Sequence, residues 1–163
     1  MGATVGKIMA EGIAMSGGFG IAQINNVASG LTITAVVVVN CLGDIVDATG
    51  TIIAGARQAN GEIGNGVQAL YSGNFPSRQA NPLQLNSTLV AVICNARFDK
   101  AALMRIAKMA SCGMARAIVP VFTTYDGDIV FTISQGNLNA DEVVVGALAA
   151  EAVRLAIIQA VKV

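Results

Sequence analysis

The run Leu31-Thr-Ile-Thr-Ala-Val-Val-Val-Val39 limits the possible folds of this chain more than any other segment. Its β-branched side chains are stiff at χ1 and crowd a helix, yet fit a pleated strand. Apolar residues on successive positions, without polar alternation, describe a strand buried on both faces. The run therefore predicts a central strand of a sheet that is covered above and below. Gly17-Gly-Phe-Gly-Ile-Ala-Gln23 precedes it across turn signals at Asn25-Asn26 and Ser29-Gly30. Ile45-Val46 and Thr51-Ile-Ile-Ala54 follow it around an Asp47-Ala-Thr-Gly50 turn. The whole stretch from Gly17 to Gln58 reads as β-structure.

Gln58 to Leu85 is punctuated by Gly61, Gly64, Gly66, Gly73, Pro76 and Pro82, with Asn at 60, 65, 74 and 81. It reads as a long linker loop with one helical turn near Val67 to Tyr71. Ser87 to Cys94 is the next strand. Asp99 suits an N-cap for a helix to about Ala117, with Leu103, Ile106, Ala110 and Met114 on one face; Gly113 weakens that helix without ending it. Pro120 then opens a strand over Val121 to Thr124. Tyr125-Asp-Gly-Asp128 reads as a tight turn, and Ile129 to Ser134 as the returning arm of a hairpin. Asn139 or Asp141 starts a final helix to about Val161, whose few charges require cover on more than one side. Strands, helix, hairpin and helix in this order give an α+β layered domain with two large helices against sheet. The 163 residues, 54% apolar, suit one domain, residues 1–163.

The composition removes several chemistries. There is no histidine, so neither a Ser-His-Asp triad, a Cys-His dyad nor a histidine-containing zinc site is available. Ten basic residues balance ten acidic ones and are scattered, which gives no phosphate-tracking groove and argues against a nucleic-acid partner. Cys41, Cys94 and Cys112 are odd in number and widely spaced in apolar surroundings; they fit buried thiols of a reducing compartment rather than disulfides or a metal site. No metal or cofactor is expected. The N-terminal residues lack the pattern of a signal peptide, and Asn40, Asp44 and Asp47 interrupt the best candidate for a membrane span. The expectation is a cytoplasmic protein with no membrane contact.

A hydrolase without histidine needs another base. At Leu85-Asn86-Ser87-Thr88 a Gly/Pro-rich loop meets a buried strand. A hydroxyl there is commonly a strand-start residue. The functional alternative is that Ser87 attacks the carbonyl of Asn86, giving an ester that water opens. The freed α-amine, with a reference pKa of roughly 7.7 to 8, then serves as a base within the nucleophile's own residue. Asp126-Gly127-Asp128 most simply forms a hairpin turn, but carboxylates two residues apart on extended chain share a side and could hold an ammonium or orient the amine of Ser87. Lys7 is an ordinary surface lysine unless a nucleophile lies beside it, where its pKa could fall and it could shuttle protons. Asn40 ends the valine run and is costly to bury without partners; donating to a developing oxyanion is one use for it. Gly17, Gly18 and Gly20 lack the context of a phosphate loop and read as turn and close-packing residues.

Ser87-Thr-Leu-Val-Ala-Val-Ile-Cys-Asn-Ala96, Ala107-Lys-Met-Ala-Ser-Cys-Gly-Met-Ala-Arg-Ala-Ile118 and Thr124-Tyr-Asp-Gly-Asp-Ile-Val-Phe131 resemble one family of self-processing peptidases. These are the L-aminopeptidase/D-esterases, β-aminopeptidases and nylon-oligomer hydrolases. Gly2-Ala-Thr-Val-Gly-Lys7, Gly17-Gly18-Phe-Gly20, Val39-Asn40-Cys-Leu-Gly-Asp44 and Gly50-Thr-Ile-Ile-Ala-Gly-Ala-Arg57 fall in the family's order. The resemblance implies a four-layer αββα sandwich like that of N-terminal-nucleophile hydrolases. It implies cleavage between Asn86 and Ser87 into an α-subunit-like segment, 1–86, and a β-subunit-like segment, 87–163, with 58–85 as linker. By motif, Ser87 matches the nucleophile, Lys7 a catalytic lysine, Asn40 an oxyanion-hole or positioning amide, and Asp126 and Asp128 the acidic pair of the nylon-oligomer hydrolases. Members are usually about twice as long, and the block around Lys7 lies near their middle. The chain thus resembles the second half of a member, incomplete at its N-terminus and without a tyrosine that in the family helps form the oxyanion hole. A short relative, a truncation, or one half completed by another chain all fit, and each implies homo-oligomerisation or a complementing chain. The implied function is a self-processing amide hydrolase acting on N-terminal residues, β-peptides or aminoalkanoate oligomers. The alternative is a non-catalytic structural or assembly protein that keeps the fold.

Overall fold

The structure, a computed structural model, describes residues 2–75 and 86–162. Its elements in order are β1 (Thr4–Val5), β2 (Met15–Ser16), β3 (Gly18–Asn26), β4 (Leu31–Asn40), β5 (Asp44–Val46), β6 (Ile52–Ala54), α1 (Gly66–Tyr71), β7 (Ser87–Ala96), α2 (Lys100–Ala115), β8 (Ile118–Val119), β9 (Ile129–Leu138) and α3 (Glu142–Ala160). The main sheet has the order β3-β4-β7-β9. β3, β4 and β7 are antiparallel neighbours, whereas β9 runs parallel to β7. Two smaller sheets, β1-β2 and β6-β5-β8, complete the β-structure among the described residues.

The valine run forms β4 in the middle of the main sheet. One face behaves as expected: Leu31, Ile33, Ala35, Val37 and Val39 are buried, together with Val90, Val92 and Cys94 of β7. Over this face lie α3, against β3 and β4, and α2, against β9. Each fully buried Ile or Val contributes ~1.5–3 kcal/mol relative to exposure. The other face differs from the expectation of a strand covered on both sides. Register aligns Phe19, Val38, Leu89 and Ile129 in one row and Ile21, Val36, Ala91 and Phe131 in the next. A third row holds Gln23, Thr34, Ile93 and Ile133. Phe19 is 63% and Phe131 54% exposed, because no described residues cover this side. The chain thus presents one helix layer and one sheet layer of an α+β layered sandwich.

Both large helices begin where their caps place them. The Asp99 carboxylate accepts the Ala102 N–H, and the Asp141 carboxylate accepts those of Val143 and Val144. α3 is buried around much of its circumference, from Val145 to Ile157, as its sparse charges require. Its 19 residues are long and apolar enough to cross a membrane by length and composition alone, unlike the expected best candidate interrupted by Asn40, Asp44 and Asp47. Here half of that span is buried against α2, β3 and β4. α2 and α3 approach closely at Gly113, where a Cβ would lie 2.0 Å from the Ala150 carbonyl oxygen. Gly20 serves β3 in the same way, a Cβ there falling 2.0 Å from the Ala156 oxygen. Neither obstacle is a movable side chain. Gly113→Leu is therefore expected to destabilise by about 3 kcal/mol and to lower Tm by about 6–12 °C for a chain of this size, read by thermal circular dichroism. An unchanged Tm would contradict the close helix contact.

The expected hairpin does not form. Val121 to Thr124 is not a strand, and β9 pairs parallel with β7. Pro120 has no N–H to give a ladder, and Phe122 adopts φ 54°, a left-handed conformation incompatible with extended pairing. The loop's N–H groups go instead to side chains: Phe122 donates to Asp128, and Thr123 donates to Asp126. α2 then supplies the crossover that a parallel pair requires. Part of the expected long loop is ordered, with α1 capped by Asn65 and anchored by a 2.7 Å bond from Gly66 N–H to Asp44 Oδ2. Residues 76–85 of that loop lie outside the described residues. Of the three cysteines, Cys41 and Cys94 are buried as expected, but Cys112 is exposed on α2.

Candidate active site

The site lies at the end of the main sheet where β4 finishes and β7 starts. Asn40 and Ser87 are directly paired residues of these antiparallel strands. Side chains alternate along a strand, so Asn40 and Ser87 share the open face with Val38 and Leu89. The nucleophile candidate thus stands beside uncovered apolar rows rather than beneath the helices.

Lys7 reaches this row through a constrained backbone. Gly6 has φ 71°, and a Cβ there would fall 2.1 Å from the Gly55 carbonyl carbon, so only glycine fits. Gly6 and Lys7 donate N–H bonds to the carbonyls of Gly43 and Leu42. This carries the Lys7 amine to 2.8 Å from Asn40 Oδ1 and 3.2 Å from Asn40 O. Lys7 is 8% exposed, not a surface lysine. Desolvation lowers its pKa, opposed by the charge of the nearby Asp126. The Cys41 thiol is pushed up, mainly by burial, and donates to the Gly43 carbonyl. It is a neutral packing group under Lys7. Asn40 Oδ1 also accepts the Thr4 N–H at 3.0 Å. With Oδ1 held by two donors, Nδ2 is the donor end of the amide.

Ser87 Oγ lies 2.6 Å from the carbonyl oxygen of Asn86, to which it donates. That carbonyl also accepts the Gly127 N–H at 2.8 Å, and Asn86 pairs with Asp126 in an isolated parallel bridge. Asn86 is buried, and its Nδ2 donates to the Tyr125 carbonyl. The acidic pair faces these strands but acts first as a clamp. Asp126 Oδ1 accepts from Leu42 N–H, and its Oδ2 from Thr123 N–H and the Thr123 hydroxyl. Asp128 Oδ1 accepts from Thr88 N–H at 2.6 Å and Oδ2 from Phe122 N–H at 3.0 Å. Burial raises the Asp128 pKa, an effect these N–H bonds oppose. Phe75, the last described residue before residue 76, packs its ring edge-on against Tyr125 with centroids 5.4 Å apart.

All five expected site residues, Lys7, Asn40, Ser87, Asp126 and Asp128, thus converge with Asn86 on one end of the sheet. Residues 1–163 match Peptidase family S58. The chain belongs to that family. An uncharacterized aminopeptidase of Mycobacterium leprae is 38% identical over 135 residues, covering 77% of this chain and 34% of the relative. A 6-aminohexanoate-oligomer endohydrolase of Paenarthrobacter ureafaciens is 31% identical over 145 residues, covering 80% of this chain and 41% of the relative. The chain spans less than half the length of the curated relatives it matches. In fold it is similar to the L-aminopeptidase D-Ala-esterase/amidase of Ochrobactrum anthropi, described as a variant of the Ntn-hydrolase fold. The TM-score is 0.59 at 21% identity, over 94% of this chain and 41% of that one. A Burkholderia β-aminopeptidase gives a TM-score of 0.56 at 22% identity, over 94% and 43%.

What the sequence did not disclose in this S58 site are the groups that act through the backbone. Gly127 looked like a turn residue, yet a Cβ there would lie 2.8 Å from Ser87 Oγ. Thr123 lies outside the motif blocks, and Cys41 lies within one without a role attached to it. The Asp-x-Asp spacing that includes Gly127 was the available clue.

Proposed function

We propose that this chain is a self-processing amide hydrolase. In this reading Ser87 attacks the carbonyl of Asn86, the resulting ester is hydrolysed, and the new N-terminal Ser87 cleaves amide bonds of N-terminal residues, β-peptides or aminoalkanoate oligomers. The observation that carries it is the hydrogen bond of Ser87 Oγ, 2.6 Å, to the oxygen of the carbonyl group it would attack, one strand away from the Asn40 that holds the Lys7 amine. Released as an α-amine, Ser87 supplies its own base, with Lys7 as a second proton carrier of lowered pKa. Asn40 Nδ2 serves as the oxyanion donor for substrate. Asp126 and Asp128 favour an ammonium at this end of the sheet, either that of Ser87 or that of an aminoacyl substrate. The similarity of 31% to an aminohexanoate-oligomer endohydrolase supports the amide-bond class.

Mass spectrometry under denaturing conditions tests it. Two polypeptides, residues 1–86 and 87–163, are expected, together with release of aniline from an aminoacyl anilide. A chain that stays whole and is inert toward amides and esters leaves the non-catalytic assembly reading in its place.

The open sheet face bears on this function, because the site opens onto it. Its three rows from Phe19 to Ile133 carry no Lys, Arg, Asp or Glu. We assign it as the surface covered by a second copy of this chain. Two such faces bury apolar area without stranding a charge, at the ~10 Å spacing of stacked sheets. Phe131→Lys is expected to shift the protein from oligomer to monomer in light scattering coupled to gel filtration. A monomeric wild-type chain would overturn the assignment.

A further inference from the structure

The carbonyl oxygen of Asn86 has two donors, Ser87 Oγ at 2.6 Å and the Gly127 N–H at 2.8 Å. Attack consumes the first of these, because Oγ becomes bonded to the carbonyl carbon. The second remains in place while negative charge develops on the oxygen. We propose that the backbone N–H of Gly127 is the oxyanion donor of the self-cleavage step. The inference rests on the reading that Ser87 attacks Asn86, and it gives that reaction a donor distinct from the Asn40 amide assigned to substrate.

Three features fit this role better than ordinary strand pairing. The donor is held before the reaction: on one side of Gly127 the Asp126 carboxylate is tied to Leu42 in the link between β4 and β5, and on the other the Asp128 carboxylate is tied to Thr88 in β7. The two acidic residues therefore position Gly127 against the strand that carries the nucleophile. The acceptor is held as well, since Asn86 is 5% exposed and its Nδ2 bonds to the Tyr125 carbonyl. A donor already aimed at the oxygen stabilises developing charge without reorganising at the moment of reaction. The third feature is the missing side chain. A Cβ at 127 would approach Ser87 Oγ to 2.8 Å and force it away from the carbonyl. Glycine presents a donor here without displacing the nucleophile.

The chemistry balances without any further reagent than water. Oγ bonds to the carbonyl carbon of Asn86 in a five-membered ring, and the C=O π pair moves onto the oxygen facing Gly127 N–H. Collapse of this intermediate breaks the C–N bond to Ser87, and the proton lost by Oγ ends on that nitrogen. The product is an ester of Asn86 with a free Ser87 amine. Water then adds to the same carbonyl, whose oxygen again carries charge toward Gly127, and the ester opens to the Asn86 carboxylate and the Ser87 hydroxyl.

Replacing the amide of Gly127 by an ester tests the donor alone. Cys112 is exposed on α2, so a synthetic peptide of residues 112–163 with glycolate in place of Gly127 can be ligated to a recombinant 1–111 thioester. After refolding, its cleavage is expected to be about 10²–10³-fold slower than that of the all-amide ligated chain. Equal rates would overturn the role of Gly127 while leaving that of Ser87 intact. An all-amide chain that never cleaves would overturn both. Should the ester chain not fold, uncleaved Ser87→Ala protein labelled with ¹⁵N and ¹³C provides a second readout. A through-hydrogen-bond coupling between Gly127 N and the Asn86 carbonyl carbon is expected, and its absence would remove the donor from the reaction.

Discussion

Ser87→Ala is expected to give a single uncut chain of 163 residues with native circular dichroism, where the wild type is expected to give two pieces. The effect is expected to be complete, because without Oγ no group within the Asn86-Ser87 unit can form the ester. The fold is expected to survive. Ser87 is only half-buried at the first position of β7, and the bond lost with its hydroxyl is the one to Asn86 O. A single hydrogen bond of this kind contributes ~0.5–1.5 kcal/mol, well short of what a domain of this size needs to unfold. Ser87→Thr keeps a hydroxyl at the same place and is expected to retain cleavage. An intact Ser87→Thr chain beside an equally intact wild type would show that position 87 is a strand-start residue and nothing more. Cleavage persisting in Ser87→Ala would move the nucleophile elsewhere.

Lys7→Met is the second large effect, with amide hydrolysis expected to fall about 10²–10⁴-fold, the usual contribution of a positioned acid–base group. Desolvation lowers the pKa of Lys7 from its ordinary 10.5, so the neutral amine becomes available at lower pH than for a free lysine. The wild-type rate is accordingly expected to rise with pH through that depressed pKa, and the Lys7→Met rate to lack this limb. Stability carries the same signature. Between the depressed native pKa and 10.5 the unfolded chain binds more protons than the folded one, so stability rises with pH across this window and the gain is lost as pH falls through it. Denaturant midpoints measured in the uncut Ser87→Ala background should show that slope, and Lys7→Met should remove it. If Lys7 were merely a solvated surface cation, neither the rate profile nor the stability slope would change.

These effects depend on an arrangement that was partly legible beforehand. The strands at Leu31–Val39 and Ser87–Cys94 and the helices capped by Asp99 and Asp141 follow from local patterns. In each case a β-branched run or a cap followed by an apolar stripe is sufficient signal. The hairpin expectation failed because Asp126-Gly127-Asp128 looks like a turn to any local rule. Each of those carboxylates also has a distant partner, Leu42 N–H and Thr88 N–H, 84 and 40 residues away. The open sheet face was signalled only by the resemblance to half of a longer family member, which implies an apolar face needing cover, and not by the strand pattern itself. A run of valines states that it is apolar on both sides, but not whether the chain supplies a cover for both.

The sequence by itself determined the alternation of strands and helices and excluded histidine chemistry. It also identified, through the order of its motif blocks, which five side chains to watch. The tertiary structure alone decided that Lys7 is buried and turned onto Asn40, that Asn40 stands opposite Ser87, and that Gly127 faces the Asn86 carbonyl. The physical reason is separation along the chain. Burial, register and backbone hydrogen bonds between segments tens of residues apart are properties of packing, and packing fixes both the pKa of Lys7 and the bare N–H that meets the Asn86 carbonyl.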